Sequence, residues 1–226
     1  MIIYRTSVTA DELWLIGDLA SGLQAMSELK NQVLGERNAM DDSKAYGPLK
    51  QLIGVWEGSD GADISPEPDG TESNPYYETL EFSEADCVDN AEEQHLVALH
   101  YRQVVSRKTT KKVFHQETGF IIWDENAGQI IKTLAIPRGL SLVAGSSPLV
   151  LYSDQTGFEF EVFSAIDDAD WKIANGPFLQ TKARTLSYRH KMTVSDNRLS
   201  YQQTMMLAIY GREFEHTDQN ELIRRN

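Results

Sequence analysis

The 226-residue sequence contains a single cysteine, Cys87, so no disulfide can form within the chain. Cys87 lies in the acidic run from Ser83 to Asn90, where the neighbouring carboxylates disfavour a reactive thiolate. A lone cysteine in such surroundings is typical of a protein from a reducing compartment. The sequence therefore indicates neither a disulfide framework nor a cysteine nucleophile.

Long apolar runs and a leader pattern are also missing. No uncharged apolar stretch approaches the about 20 residues that a membrane-spanning helix needs. The first six residues, Met1 to Thr6, lack the basic-then-apolar order of a signal peptide. We therefore predict a cytoplasmic protein without a membrane partner.

Positive charge is scarce, with 21 Lys and Arg against 34 Asp and Glu and a formal net charge of −13. Nucleic acids and anionic membranes attract basic surfaces, so non-specific binding to either is disfavoured. The one dense basic cluster, within residues 107–112, is typical of a solvated hairpin tip. We predict no nucleic-acid partner.

Several catalytic signatures are absent from the sequence. It contains no P-loop, no Gly-x-Gly-x-x-Gly turn between a strand and a helix, and no Cys/His metal-ligand cluster. The order of a Ser-His-Asp triad is not recognisable either. No enzyme class follows from local motifs.

Residues 9–34 predict one amphipathic helix. A capping box, Thr9-Ala10-Asp11-Glu12, opens it, and apolar residues follow at spacings of mostly three and four up to Val33. Its apolar face has three possible partners: the wall of the following domain, the opening of that domain, or a second copy of the chain in a homodimer. We treat residues 1–45 as a helical extension and 46–226 as a separate domain.

From Trp56 onward, short runs of alternating apolar and polar residues predict an antiparallel meander. The candidate strands lie near 76–83, 95–106, 113–123, 128–136, 139–144, 157–164, 181–194, 198–209 and 214–223. Residues 61–75 contain three prolines, Pro66, Pro68 and Pro75, which predict a loop beside an opening. About ten strands joined by short loops predict a mainly β, closed, up-and-down barrel of the lipocalin or fatty-acid-binding type with a cavity for one small ligand.

Several short motifs occur along the chain in the same order as in a known family. The first is Gly47-Pro48-Leu49 followed by Gly54-Val55-Trp56-Glu57-Gly58, and the next is Tyr77 to Ser83. Glu117-Thr118-Gly119-Phe120 and Leu199-Ser200-Tyr201 before His216 complete the order. Over residues 46 to 226 the chain resembles the nitrobindin family, the haem-binding β-barrels related to THAP4-type proteins.

This resemblance implies a ten-stranded barrel that holds haem b near its mouth, with a histidine at the start of the last strand bound to the iron. That histidine aligns with His216. The family is also implied to bind nitric oxide and to isomerise peroxynitrite to nitrate. In the segment from Ala135 to Leu140, Arg138 stands where the family has no arginine and is a candidate contact for a haem propionate or another anion.

Two segments depart from the family pattern. After Trp56 the family keeps further alternating glycines and a Tyr-Pro pair, whereas this chain reads Ser59 to Pro66 without them. After His216 the family alternates apolar residues, whereas this chain continues Thr-Asp-Gln-Asn-Glu. Both departures predict a more polar pocket.

The chain has five histidines: His95, His100, His115, His190 and His216. A histidine ligand needs one ring nitrogen facing the cavity and the other held by a hydrogen-bond partner. His190 shares a strand face with apolar residues and is the rival to His216, although a buried, hydrogen-bonded histidine is the commoner case. Three hypotheses remain: a haem barrel ligated by His216, a haem-free carrier of an apolar or amphipathic molecule, and an interaction module that dimerises through residues 9–34.

Overall fold

The computed structural model describes residues 46–85, 88–149 and 157–225. The predicted helix at 9–34, the rest of the 1–45 extension and Cys87 lie outside these residues. None of the helices in the described part of the chain is long and apolar enough to cross a membrane.

Antiparallel strands make up nearly all of this part of the chain. Twelve are present: β1 (Gly54–Glu67), β2 (Gly70–Glu84), β3 (Val88–Asn90), β4 (Gln94–Arg107), β5 (Val113–Asp124), β6 (Gln129–Ile136), β7 (Leu140–Ser146), β8 (Gly157–Ala165), β9 (Ile173–Asn175), β10 (Ala183–Ser195), β11 (Arg198–Ile209) and β12 (Arg212–Arg224). A 3-10 helix, Gly47–Leu52, precedes β1, and the short helix α1, Pro177–Lys182, precedes β10.

Ten of these strands close into an up-and-down barrel. Each strand pairs with its neighbours in chain order, and the ring is completed where β1 pairs with β12. The short strands β3 and β9 are additions, β3 on β4 and β9 on β7. Every barrel strand has two neighbours, and the shortest pairing, between β7 and β8, joins Gly145 to Phe163 and Ser146 to Val162. The ring of pairings confirms the predicted mainly β, closed antiparallel barrel.

One end of the barrel is plugged by the 3-10 helix and the start of β1. Leu49, Leu52 and Trp56 are completely buried there, and Trp56 Nε1 donates a hydrogen bond of 2.7 Å to the Leu52 carbonyl oxygen. Arg224, near the end of the last strand, lies over the Trp56 ring at 4.2 Å from its centroid. The opposite end is therefore the one that can admit a ligand.

The prediction of a proline-rich loop over residues 61–75 is wrong. Most of that segment forms the hairpin of β1 and β2, with Ala62 opposite Pro75 and Pro66 opposite Thr71. Pro75 lies just outside the stretch of β2 that pairs with β4, and Pro66 just beyond the part of β1 that pairs with β12. Their missing N–H groups therefore fall where no ladder partner is needed.

Candidate functional site

The open end of the barrel carries two adjoining cavities of about 260 and 240 Å³. Both are lined by Ser65, His115, Arg138, Gln203, His216 and Asp218. We call this region the mouth. The first cavity continues among polar groups such as Asp63, Asn74 and Tyr201, and the second continues among apolar side chains such as Leu140, Leu179 and Leu207. The mouth is therefore amphipathic.

His216 sits at the boundary between the two cavities. Its Nε2 lies 2.6 Å from Asp63 Oδ1 and 3.6 Å from Asp218 Oδ2. Strand register explains this grouping: Asp63 on β1 pairs directly with Asp218 on β12, two residues after His216 and on the same strand face. One imidazole and two carboxylates thus converge on one point of the cavity wall.

Burial and charge act against each other at this point. Burial alone would lower the pKa of His216, but the hydrogen bond to Asp63 and the charge of Asp218 outweigh it and raise the pKa above its usual value. Burial raises the pKa of Asp218 to about 7, in spite of the nearby His216. Asp63 is consequently the carboxylate that holds the imidazole.

Arg138 lines both cavities, as the prediction of a cation near the opening requires. It is exposed, and no hydrogen bond from its guanidinium to another described residue is present. Its charge is felt by His216, whose pKa it lowers slightly against the carboxylates. Arg138 is available to pair with an anionic group of a ligand.

The floor of the mouth is a buried layer of polar side chains. Glu117 accepts a 2.9 Å hydrogen bond from Tyr101 and lies 3.4 Å from both Lys132 Nζ and His115 Nε2. Lys132 is 2% exposed and donates hydrogen bonds to Tyr188 (2.7 Å) and to His190 Nδ1 (2.6 Å). Within the described residues, side chains therefore fill the barrel interior below the mouth.

A second buried carboxylate completes that floor. Glu78 accepts hydrogen bonds from Gln103 (2.6 Å), Asn220 (2.7 Å) and Tyr201 (2.9 Å). Burial raises its pKa, although these three bonds oppose the shift. Tyr201 also shares a 2.8 Å hydrogen bond with Tyr76, so the network reaches the wall of the first cavity.

The other histidines are separated from the His216 cluster to different degrees. His190 is buried, burial lowers its pKa well below the usual value, and neither cavity is lined by it. His95 pairs with Asp89 at 2.7 Å at the surface, and His100 bonds Thr118 on the outer face of the barrel. His115 does line the mouth.

Sequence reasoning missed Asp63 as a member of the site. Its assignment to a loop hid the strand parity that places it opposite Asp218. Two considerations would have identified Asp63. One is that β1 continues beyond Gly61, and the other is that the first and last strands of any closed barrel must pair. Both carboxylates come from the two segments that depart from the family pattern.

These features define a class: a closed ten-stranded antiparallel barrel, plugged at one end, with an amphipathic, ionisable site at the other. Proteins of this architecture hold small ligands at the barrel opening.

The chain belongs to the family of THAP4-like, heme-binding beta-barrel domains, whose family model matches residues 45–224. It is similar to the crystal structure of Rv2717c from M. tuberculosis, with a TM-score of 0.60 and 22% sequence identity over 81% of this chain and 98% of that one. That likeness supports the fold. No curated protein sequence matches the chain. The resemblance to the nitrobindin and THAP4-like family is confirmed, and membership supports small-ligand binding.

The family description raises the question of whether the mouth fits a haem. A haem iron needs an imidazole nitrogen with a free lone pair directed at it. His216 Nε2 instead faces Asp63 at 2.6 Å, and Asp218 lies beside it. A haem iron already has four porphyrin nitrogens and cannot take Asp63 as a neighbouring ligand, so in this arrangement the donor set does not fit a haem iron through Nε2.

Proposed function

We propose that this protein binds a small amphipathic molecule at the barrel mouth, in contact with His216. One observation carries the proposal: an apolar cavity and a polar cavity meet at six shared residues. Each cavity is close to the lower end of the about 300–1,000 Å³ range of ligand pockets. A molecule with an apolar body and one charged group would fill both.

Different groups at the mouth would contact different parts of such a molecule. Leu140, Leu179 and Leu207 offer an apolar wall, whose burial of ligand surface supplies affinity. Arg138 offers a cation to an anionic group of the ligand. His216, fixed by Asp63, offers a polar group at the boundary.

Filling the apolar cavity tests this proposal. Ala183 lines that cavity, so Ala183→Phe should lower the affinity for the amphipathic anion 1-anilinonaphthalene-8-sulfonate at least about tenfold in a fluorescence titration. Ala127→Phe, at an exposed turn position that lines neither cavity, is the matched control and should leave the affinity unchanged. Equal affinity of wild type and Ala183→Phe would contradict the proposal.

Haem b is the second candidate ligand, and the family description favours it. In this candidate Asp63 moves away from Nε2, His216 becomes the proximal ligand to the haem iron, and Arg138 pairs with a propionate. Haem would supply an iron able to bind nitric oxide or to act on peroxynitrite. Binding of nitric oxide and reaction with peroxynitrite are proposed only if haem is the ligand.

A haemin titration followed by absorption decides between the two candidates. Because Asp63 holds Nε2, Asp63→Ala should bind haemin more tightly than wild type, and the additional substitution His216→Ala should remove the Soret shift. His100→Ala, which lies on the outer face, is the control. If neither wild type nor Asp63→Ala shifts the Soret band, haem is not the ligand.

A homodimer through residues 9–34 and a cytoplasmic location stay predictions, since the former rests on residues outside the described part of the chain. Light scattering of the full chain and of a chain lacking residues 1–45 tests the dimer. If both proteins have the same number of chains per particle, residues 1–45 do not mediate a homodimer.

A further inference from the structure

We propose that the mouth binds a divalent transition-metal ion through Asp63, His216 and Asp218. One ligand atom from each residue lies within 4.8 Å of the others. This inference does not depend on the organic ligand proposed above, because the three side chains are brought together by the barrel itself.

Two of the three donor-atom distances are close to those around a metal ion, and the third is within 4.8 Å. Bonds of about 2.0–2.2 Å to nitrogen and oxygen place neighbouring ligand atoms about 3–3.5 Å apart. His216 Nε2 lies 3.6 Å from Asp218 Oδ2 and 2.6 Å from Asp63 Oδ1. The shorter contact is a hydrogen bond, and it lengthens by a few tenths of an ångström when a metal ion replaces the shared proton.

The backbone and a neighbouring amide pre-orient the site. Asp63 and Asp218 are direct partners across β1 and β12, so two ligands sit on one rigid ladder. Asn74 Nδ2 donates a 3.0 Å hydrogen bond to Asp63 Oδ2, which leaves Oδ1 directed at His216. Outer partners of this kind fix the orientation of metal-bound carboxylates.

The ligand types indicate which ions fit. One imidazole with two carboxylates and no thiolate suits Zn²⁺, Mn²⁺ or Fe²⁺ rather than Mg²⁺ or Ca²⁺. Three protein ligands leave at least one coordination position, and the cavity of about 260 Å³ lies next to it. Arg138 lines the same cavity and can pair with an anion at that open position.

Isothermal titration of the tag-free full chain, first treated with a chelator, tests the inference with ZnCl₂ alone. Wild type should bind one Zn²⁺ per chain, and His216→Ala and Asp218→Asn should each lower the affinity by at least about tenfold. Asp60→Asn, an exposed carboxylate on β1 that pairs with Lys108, is the matched control and should bind as wild type does.

Two results would overturn the inference: no Zn²⁺ binding by wild type, or unchanged affinity in Asp218→Asn. Circular dichroism melting shows whether each variant is folded, and the near-isosteric Asp218→Asn decides the matter if His216→Ala does not fold. No organic ligand is present in this titration. A negative result therefore leaves the amphipathic-ligand proposal untouched, and the dye titration can fail without affecting this one.

Discussion

At the scale of single residues, buried charge distinguishes this barrel from one with a purely apolar interior. Lys132 and Glu117 are 2% and 3% exposed and lie 3.4 Å apart. Removing one member of such a pair leaves the other charge buried and uncompensated, which is costly. The sequence did not indicate this pair, because a charged residue in a strand of alternating polarity is ordinarily expected to face the solvent. Only the inward direction of those positions reveals their role.

Glu117 should make acid stability measurably dependent on one carboxylate. Burial would raise its pKa, but Lys132, His115 and His190 outweigh burial and lower the pKa to about 2, while Tyr101 donates a hydrogen bond. A depressed pKa stabilises the fold above the unfolded value of 4.5, and this contribution is lost as the pH falls toward about 2. At about 1.4 kcal/mol per pKa unit, up to about 3 kcal/mol is involved.

Urea unfolding of wild type and Glu117→Gln at several pH values between 3 and 7 measures this contribution. Wild type should be the more stable at pH 7, and the difference should shrink as the pH is lowered below about 4.5. A difference that stays constant over this range would contradict the assignment of Glu117 as a charged buried group.

Gly119 is a second residue with a sharp requirement. A Cβ atom added there would lie 2.0 Å from the Thr133 carbonyl oxygen on the neighbouring strand. Gly119→Ala should therefore destabilise the protein by about 1–3 kcal/mol or more, because backbone must shift to make room. Gly70→Ala, where nothing lies within 4 Å, is the control and should change stability little. Thermal melting of the two variants compares them, and similar melting temperatures would refute the steric reason.

At the scale of elements, the second half of β2 and the long strands from β4 onward were predictable, whereas the turn end of the first hairpin and the short strand β9 were not. Alternation of apolar and polar residues marks β10 and β11, and the turn at 196–197 separates them as expected. The hairpin of β1 and β2 escaped because proline content was weighed without its position in the ladder. Whether a proline can be tolerated depends on the neighbouring strand, which local sequence does not show.

The plugged end depends on contacts between the last strand and the first helix. Arg224 donates hydrogen bonds to the carbonyl oxygens of Gln51 and Ile53 and covers Trp56. Arg224→Ala should lower the free energy of unfolding by about 1–3 kcal/mol, since it removes hydrogen bonds from a charged group and packing on an aromatic ring.

Arg225→Ala is the matched control in urea unfolding. The side chain of Arg225 forms an exposed ion pair with Glu57, which contributes about 0–1 kcal/mol. Equal losses in the two arginine variants would mean that Arg224 does not hold the plug.

At the scale of the whole molecule, closure of the barrel brings the site together. His216 and Arg138 could be proposed from the sequence through the family pattern. Asp63 could not, because it meets His216 only when the first and last strands pair, 153 positions apart in sequence. Long-range pairing of this kind is the part of the structure that local patterns leave undetermined.

Residues 46–226 should form an independent ligand-binding domain. The ten barrel strands of the described part pair with one another around the whole ring, and the family model begins at residue 45. A chain starting at Tyr46 should therefore fold and bind the anilinonaphthalene dye with an affinity within about twofold of the full chain. A much weaker affinity, or failure to fold as judged by circular dichroism, would show that the preceding residues complete the site.

The central claim is that a small molecule occupies the mouth beside His216. Native mass spectrometry of wild type and Ala183→Phe, purified side by side from the same cells, tests it most directly. We expect a non-covalent adduct of small-molecule mass on wild type and its loss from the folded variant, because the added ring fills the apolar cavity. An adduct of equal mass and occupancy on both proteins would contradict the claim.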